Sequence, residues 1–97
     1  MHKPPPKLDD SDVVAWSPID SRHLATGNTR HYVGGELLGV PAGFAICRYP
    51  DDAGFYLFRC DADWNLLTDT LHDTLMDAKA QAEFEFQGLD ATWQAVA

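Results

Sequence analysis

Four histidines, two cysteines and fifteen acidic residues supply the side chains from which metal sites and nucleophilic centres are made. Their spacing argues against both. His23 and His31 stand eight positions apart, His72 is remote, and Cys47 and Cys60 are thirteen apart. None of this fits a zinc pattern, whose ligands come in close pairs. Asp61-Ala62-Asp63 opens like an EF-hand loop. Leu66 holds the sixth position, which needs Gly, and His72 the twelfth, which needs Glu. A β-turn with solvated carboxylates is expected there instead. Cys47 and Cys60 lie inside apolar runs, where thiols are inert. Ser17 and Ser21 share a loop-like stretch with His23, and no Gly-x-Ser-x-Gly elbow occurs. Gly34-Gly35 and Gly39 lack the strand–loop–helix context of a phosphate site. Arg22, Arg30 and Arg48 could make a small basic site, but pairing with Asp12, Asp20 and Glu36 is the expectation. Paired-carboxylate catalysis needs a cleft. No catalytic residue, metal site or cofactor is therefore expected, and the chain is not expected to be an enzyme.

The acids do have a pattern. Residues 49–97 carry ten of them against Arg59 and Lys79, a balance of −8, whereas residues 1–48 carry five acids and five bases and sum to zero. Such a half repels phosphate backbones and anionic lipid, so no direct nucleic-acid or membrane contact is expected. A basic protein partner suits it. The candidate partner-binding residues are Asp61, Asp63, Asp69, Asp73 and Asp77, with Trp64 and Phe84 as apolar anchors. Trp64 stands at a turn, between Asp63 and Asn65, and partial exposure is expected of it. The opening Met-His-Lys-Pro-Pro-Pro-Lys lacks the apolar core of a secretory signal. The expected location is the cytoplasm, with both cysteines as free, buried thiols.

Elements must bring these acids together. Residues 1–12 read as a disordered proline-rich tail and 13–97 as a single domain. Val13–Trp16 is a short strand and residues 17–28 a long loop. Thr29–Val33 and Glu36–Val40 flank Gly34-Gly35 as a hairpin. Phe44–Tyr49, Phe55–Cys60 and Asn65–Thr70 continue as a meander. The final element is a helix over Leu75–Gln87, capped by Thr74, with Asp77 in its first turn and Gly88 beyond its end. Leu75, Ala78, Ala82, Phe86 and Leu89 recur at helical spacing and should face the sheet, leaving Phe84 outside. The expected fold is α+β: a meandering antiparallel sheet of four to six strands with one C-terminal helix on one face.

Register sets which side chains share a face. Pairing Tyr49 with Phe55 and Asp61 with Trp64 groups Phe44, Ile46, Tyr56, Phe58, Cys60 and Leu67 on one face. Ala45, Cys47, Tyr49, Phe55, Leu57 and Leu66 then form the other. The two cysteines fall on opposite faces, a result that a one-residue slip reverses. Both faces are apolar, so the one without the helix must be covered by the N-terminal segment, a partner, or a second copy in a homodimer.

The stretch Gly54–Gly88, GFYLFRCDADWNLLTDTLHDTLMDAKAQAEFEFQG, resembles small bacterial proteins with an aromatic strand ending in Cys-Asp. In those proteins Asp-Trp-x-x-x-Thr-Asp-Thr follows, then a His-Asp-Ser/Thr cap and a helix with Ala-Glu-Phe-Glu-Phe/Tyr-x-Gly. They are similar to immunity proteins of polymorphic or contact-dependent toxin systems. The resemblance covers about a third of the chain and implies an acidic binder that neutralises a toxin. The alternatives are a nucleic-acid mimic or regulatory adaptor for a basic protein, a small enzyme or ligand-binding domain using the open sheet face, and a housekeeping domain.

Overall fold

A computed structural model describes residues 1–96. The element order is β1 (Lys7–Leu8), β2 (Ser11–Pro18), β3 (Leu24–Ala25), β4 (Tyr32–Val33), β5 (Glu36–Leu37), β6 (Gly43–Arg48), β7 (Phe55–Cys60), β8 (Leu66–His72), α1 (Leu75–Glu85) and β9 (Phe86–Gln87). A 3-10 turn at Leu89–Ala91 and β10 (Gln94–Ala95) close the chain. The main sheet runs β1-β2-β6-β7-β8 with β10 also on β2, and every pairing in it is antiparallel. The helix packs on β6, β7 and β8. This is the expected α+β class. No helix among the described residues is long and apolar enough to cross a membrane.

Helix α1 begins where its cap does. The Thr74 hydroxyl accepts the Asp77 amide at 3.0 Å, which satisfies one of the helix's unbonded amide donors. Ala78 and Ala82 are buried, so the backbone lies close to the sheet. Phe84 is 51% exposed, as its angle on the helix requires. The helix ends two residues earlier than expected. Phe86 is extended (φ −140, ψ 113), and β9 pairs with β3 as Leu24↔Gln87 and Ala25↔Phe86. Phe86 then meets Phe44 edge-on at 5.8 Å. Phe86 and Leu75 are half-buried at the rim of the helix–sheet core rather than enclosed.

Both hairpins of the meander differ from the expected register. The first pairs Cys47↔Tyr56, Ile46↔Leu57 and Ala45↔Phe58, one residue away from the Tyr49–Phe55 pairing. The cause lies in the loop. Asp52 donates its amide to the Tyr49 carbonyl at 3.1 Å, and its side chain accepts the Gly54 amide at 2.9 Å. Tyr49 is thereby turned out of the strand. The second hairpin pairs Phe58↔Asp69 and Arg59↔Thr68, with a bulge before Cys60↔Leu66. Here Asp61 Oδ1 accepts the amides of Asp63 and Asn65, both at 2.9 Å, and holds a wider turn.

The faces are therefore regrouped. Phe44, Ile46, Leu57 and Ala15 meet Ala78, Ala82 and Leu89 beneath the helix. Ala45, Cys47, Phe58, Cys60, Val13, Leu8 and Trp64 form the second core. The cysteines share that second face, contrary to the expected register. Cys47 pairs with Tyr56 and Cys60 with Gly43. They stand four positions apart on neighbouring strands, too far for a disulfide, and both are free. Burial pushes each thiol up to about 12. A thiol-reactive disulfide reagent should leave both untouched in the native protein and react with both in denaturant. Fast native reaction would contradict the second core.

The chain itself covers that second face. Residues 1–12 do not form a free tail. Asp9 and Asp10 adopt left-handed φ of 49 and 59, which short polar side chains tolerate. They turn β1 back onto β2 as Lys7↔Asp12 and Leu8↔Ser11. The domain boundary expected at residue 13 thus falls inside β2. Leu8 enters the core, and the Trp64 indole donates to the His2 carbonyl at 2.9 Å. Of the three coverings expected for this face, the N-terminal segment is the one present. The Gly34-Gly35 turn is present, with φ of 59 and 83. Its hairpin is shorter than expected and pairs only Tyr32↔Leu37 and Val33↔Glu36, apart from the main sheet.

Candidate functional site

Strand β8 is the last in the sheet order, so among the described residues one side of it has no strand neighbour. An edge of this kind offers backbone donors and acceptors to a partner unless charge guards it. Asp69 lies opposite Phe58, on the face away from the helix. Asp63 precedes the strand and Asp73 follows it. Asp77 begins the helix and shares its outer side with Phe84, seven residues on and roughly 10 Å along the axis. Asp63, Asp69, Asp73 and Asp77 are all exposed. Among the described residues none of their carboxylates has an ion-pair or hydrogen-bonding partner. Exposed apolar groups accompany them: Leu71, at 56%, shares the sheet face of Asp69, while Met76, at 80%, and Phe84, at 51%, lie with Asp77 on the outer side of the helix. Met76, Ala80 and Phe84 recur every four residues and form one exposed stripe.

Two of the expected site residues are engaged within the fold. Asp61 is engaged by Asn65 through both its side chain, at 3.0 Å, and its amide, with the Asp63 amide in addition. The Asn65 side-chain bond leads the causes that hold its pKa below the usual carboxylate value. Trp64 is only 7% exposed, a correction to its expected role as an exposed anchor. Its ring stands edge-on to Trp16 at 5.8 Å and its indole is bonded to His2. Its φ of +64 is uncommon for a bulky residue, and enclosure by the second core holds it there.

A second cluster went unpredicted. Arg59 is 1% exposed and Glu85 4%. Arg59 Nε donates to Glu85 Oε1 at 2.9 Å and Nη2 to Oε2 at 2.5 Å, a bidentate pair. His31 Nε2 donates to Oε1 at 3.1 Å, and Gln81 Nε2 to Oε2 at 2.8 Å. Burial opposes the charge on Glu85, but these donors and the Arg59 charge outweigh it, so its pKa falls below the usual 4.5. His72 bonds Thr70 at 2.8 Å. Burial, and then the Arg59 charge, lower its pKa.

The remaining polar candidates are structural. Ser17 is buried and bonds Thr92 at 2.7 Å, and Thr92 in turn meets His23 Nε2 at 2.8 Å. Among the described residues no direct Ser–His bond forms. Arg22 pairs with Asp20 at 2.8 Å, as expected. Arg48 instead lies over Phe55 at 5.2 Å, and Asp12 pairs with Lys7 at 2.7 Å. Among the described residues no group of three His, Cys, Asp or Glu is placed to hold a metal.

Comparison of the chain with protein-family models, curated proteins and solved structures finds no match.

Proposed function

We propose that this chain is an acidic protein-binding domain that captures a basic protein along β8 and the outer face of α1. Within that class we assign it the role of an immunity protein that neutralises a bacterial toxin. The observation that carries the reading is the set of four exposed carboxylates without internal partners on β8, its flanks and α1, with Leu71, Met76 and Phe84 exposed on the same two elements. Carboxylates engaged within the fold are already committed, whereas these four are free to meet a partner's Lys and Arg. The exposed apolar groups would supply the desolvated contacts from which slow dissociation comes. The toxin-neutralising role rests on the resemblance of Gly54–Gly88 to immunity proteins.

Immobilised protein exposed to lysate of the source cell tests this. Wild type should retain a basic protein. Retention should be lost when Asp63, Asp69, Asp73 and Asp77 are all replaced by Asn, and reduced by Phe84→Ser. None of these side chains supports the core, so the variants should keep the wild-type circular dichroism spectrum. Equal retention by the fourfold variant would place the binding surface elsewhere.

A further inference from the structure

The two edges of the main sheet are unlike. One is made by β1 and β10, of two residues each, whereas the other is β8, of seven residues. Short strands, proline, lysine and bulges are the usual protections of an edge. Residues 68–72, Thr-Asp-Thr-Leu-His, contain no proline or lysine, and their register with β7 is unbroken from Thr68↔Arg59 to His72↔Phe55. The direction of the backbone groups follows from the neighbouring strands. In an antiparallel sheet successive residues turn their N–H and C=O to opposite sides of the strand. Cys60 turns to the β6 side, where its carbonyl accepts the Ala42 amide at 2.9 Å. Asp61 turns to the β8 side and donates to the Asn65 carbonyl at 3.0 Å. Arg59, Leu57 and Phe55 therefore bond toward β8, and their partners Thr68, Thr70 and His72 bond inward. The His72 carbonyl accordingly lies against Gly54, where a Cβ would stand 3.2 Å from it. Asp69 and Leu71, between these residues, direct their amides and carbonyls off the sheet. Both residues are exposed, and among the described residues no turn, loop or cap bond engages either backbone.

We propose that β8 takes up an extended basic segment of the partner protein as an additional antiparallel strand. A Lys or Arg of that segment lies opposite Asp69, and an apolar residue two positions away lies opposite Leu71. Asp69 and Leu71 share one face of the sheet, and directly opposed side chains on a face set the pairing preference. Backbone bonds to the free edge supply the attachment. The inference rests on the protein-binding reading and specifies how the partner is held. A second copy of this chain is a poor occupant. Pairing β8 with β8 would gather Asp63, Asp69, Asp73 and Asp77 of both copies along one seam, and like charges across a strand pair repel.

The probe is a synthetic peptide in which Lys-Thr-Val-Thr is repeated three times. It is titrated into uniformly nitrogen-15-labelled protein and followed by amide chemical shifts. Saturable shifts should centre on Asp69 and Leu71, and hydrogen exchange of those two amides should slow. N-methylation of the peptide at its Lys and Val residues removes the amides that would face β8, and binding should fall at least about tenfold. N-methylation at the Thr residues instead should leave binding close to that of the parent peptide. Leu71→Pro removes an amide that the sheet does not use, so the fold should be kept and peptide binding lost. Leu71→Ala keeps the amide and should retain most of the binding. The two methylated peptides test the same bonds on wild-type protein, so the outcome does not depend on the proline variant folding. Equal binding of the two methylated peptides, or absence of saturable shifts at Asp69 and Leu71, would overturn the proposal. A dimer of the free chain that Leu71→Pro dissociates would also overturn it, by giving the edge to a second copy. Retention of a basic protein from lysate by Leu71→Pro as well as by wild type would remove strand addition and leave the protein-binding reading standing.

Discussion

Replacing Arg59 with Met should lower the unfolding free energy by about 3–5 kcal/mol, because it strands the Glu85 carboxylate inside the protein. The guanidinium supplies two of the four donors that Glu85 accepts, and His31 and Gln81 cannot replace them. Arg59→Met combined with Glu85→Leu should recover most of the loss, since apolar residues of similar size substitute well for a buried pair. Urea unfolding at pH 7 measures both. A single variant within about 1 kcal/mol of wild type would mean that the pair is not closed in solution. The pair also sets a direction for pH. Glu85 has a lowered pKa in the folded state, so its contribution is present above about 4.5 and lost as pH falls through the folded value. His72, likewise lowered, adds stability above its ordinary 6.5 that declines below it. Stability should therefore fall on acidification from neutral, in two stages.

Trp64→Ala should cost about 3–5 kcal/mol, the range for removing a large buried aromatic. The side chain ties three segments together: the turn at Asp61–Asn65, Trp16 on β2, and the His2 carbonyl. Its loss should also release residues 1–6 and speed the reaction of Cys47 and Cys60, which lie in the same core. Hydrogen exchange at residues 1–8 and thiol titration report this. A small shift in midpoint with both thiols still protected would show that the N-terminal segment covers this face without Trp64.

The elements were legible because their signals are local. Thr74 caps α1, Gly34-Gly35 turns its hairpin, and the β6–β8 strands lie close to their apolar runs. Register was not legible. Asp52 and Asp61 bind backbone amides within their own loops and so fix where pairing begins, and residue type alone does not show whether an Asp will do this. The Arg59–Glu85 pair did have a sequence signal. Glu85 continues the stripe of Ala78, Ala82 and Leu89, and Arg59 alternates with Phe55 and Leu57. Opposite charges on two faces that must pack together imply a buried pair. Trp64 misled because its polar neighbours, Asp63 and Asn65, describe the turn and not the side chain.

Stopped-flow association with the captured partner, measured at rising ionic strength, tests the protein-binding account most directly. Wild type should associate fastest at low salt and slow steeply as salt screens the carboxylates. The variant with Asn at 63, 69, 73 and 77 should start at least about tenfold slower, show a shallower salt dependence, and converge with wild type at high salt. Identical rates and salt slopes for the two proteins would contradict the account.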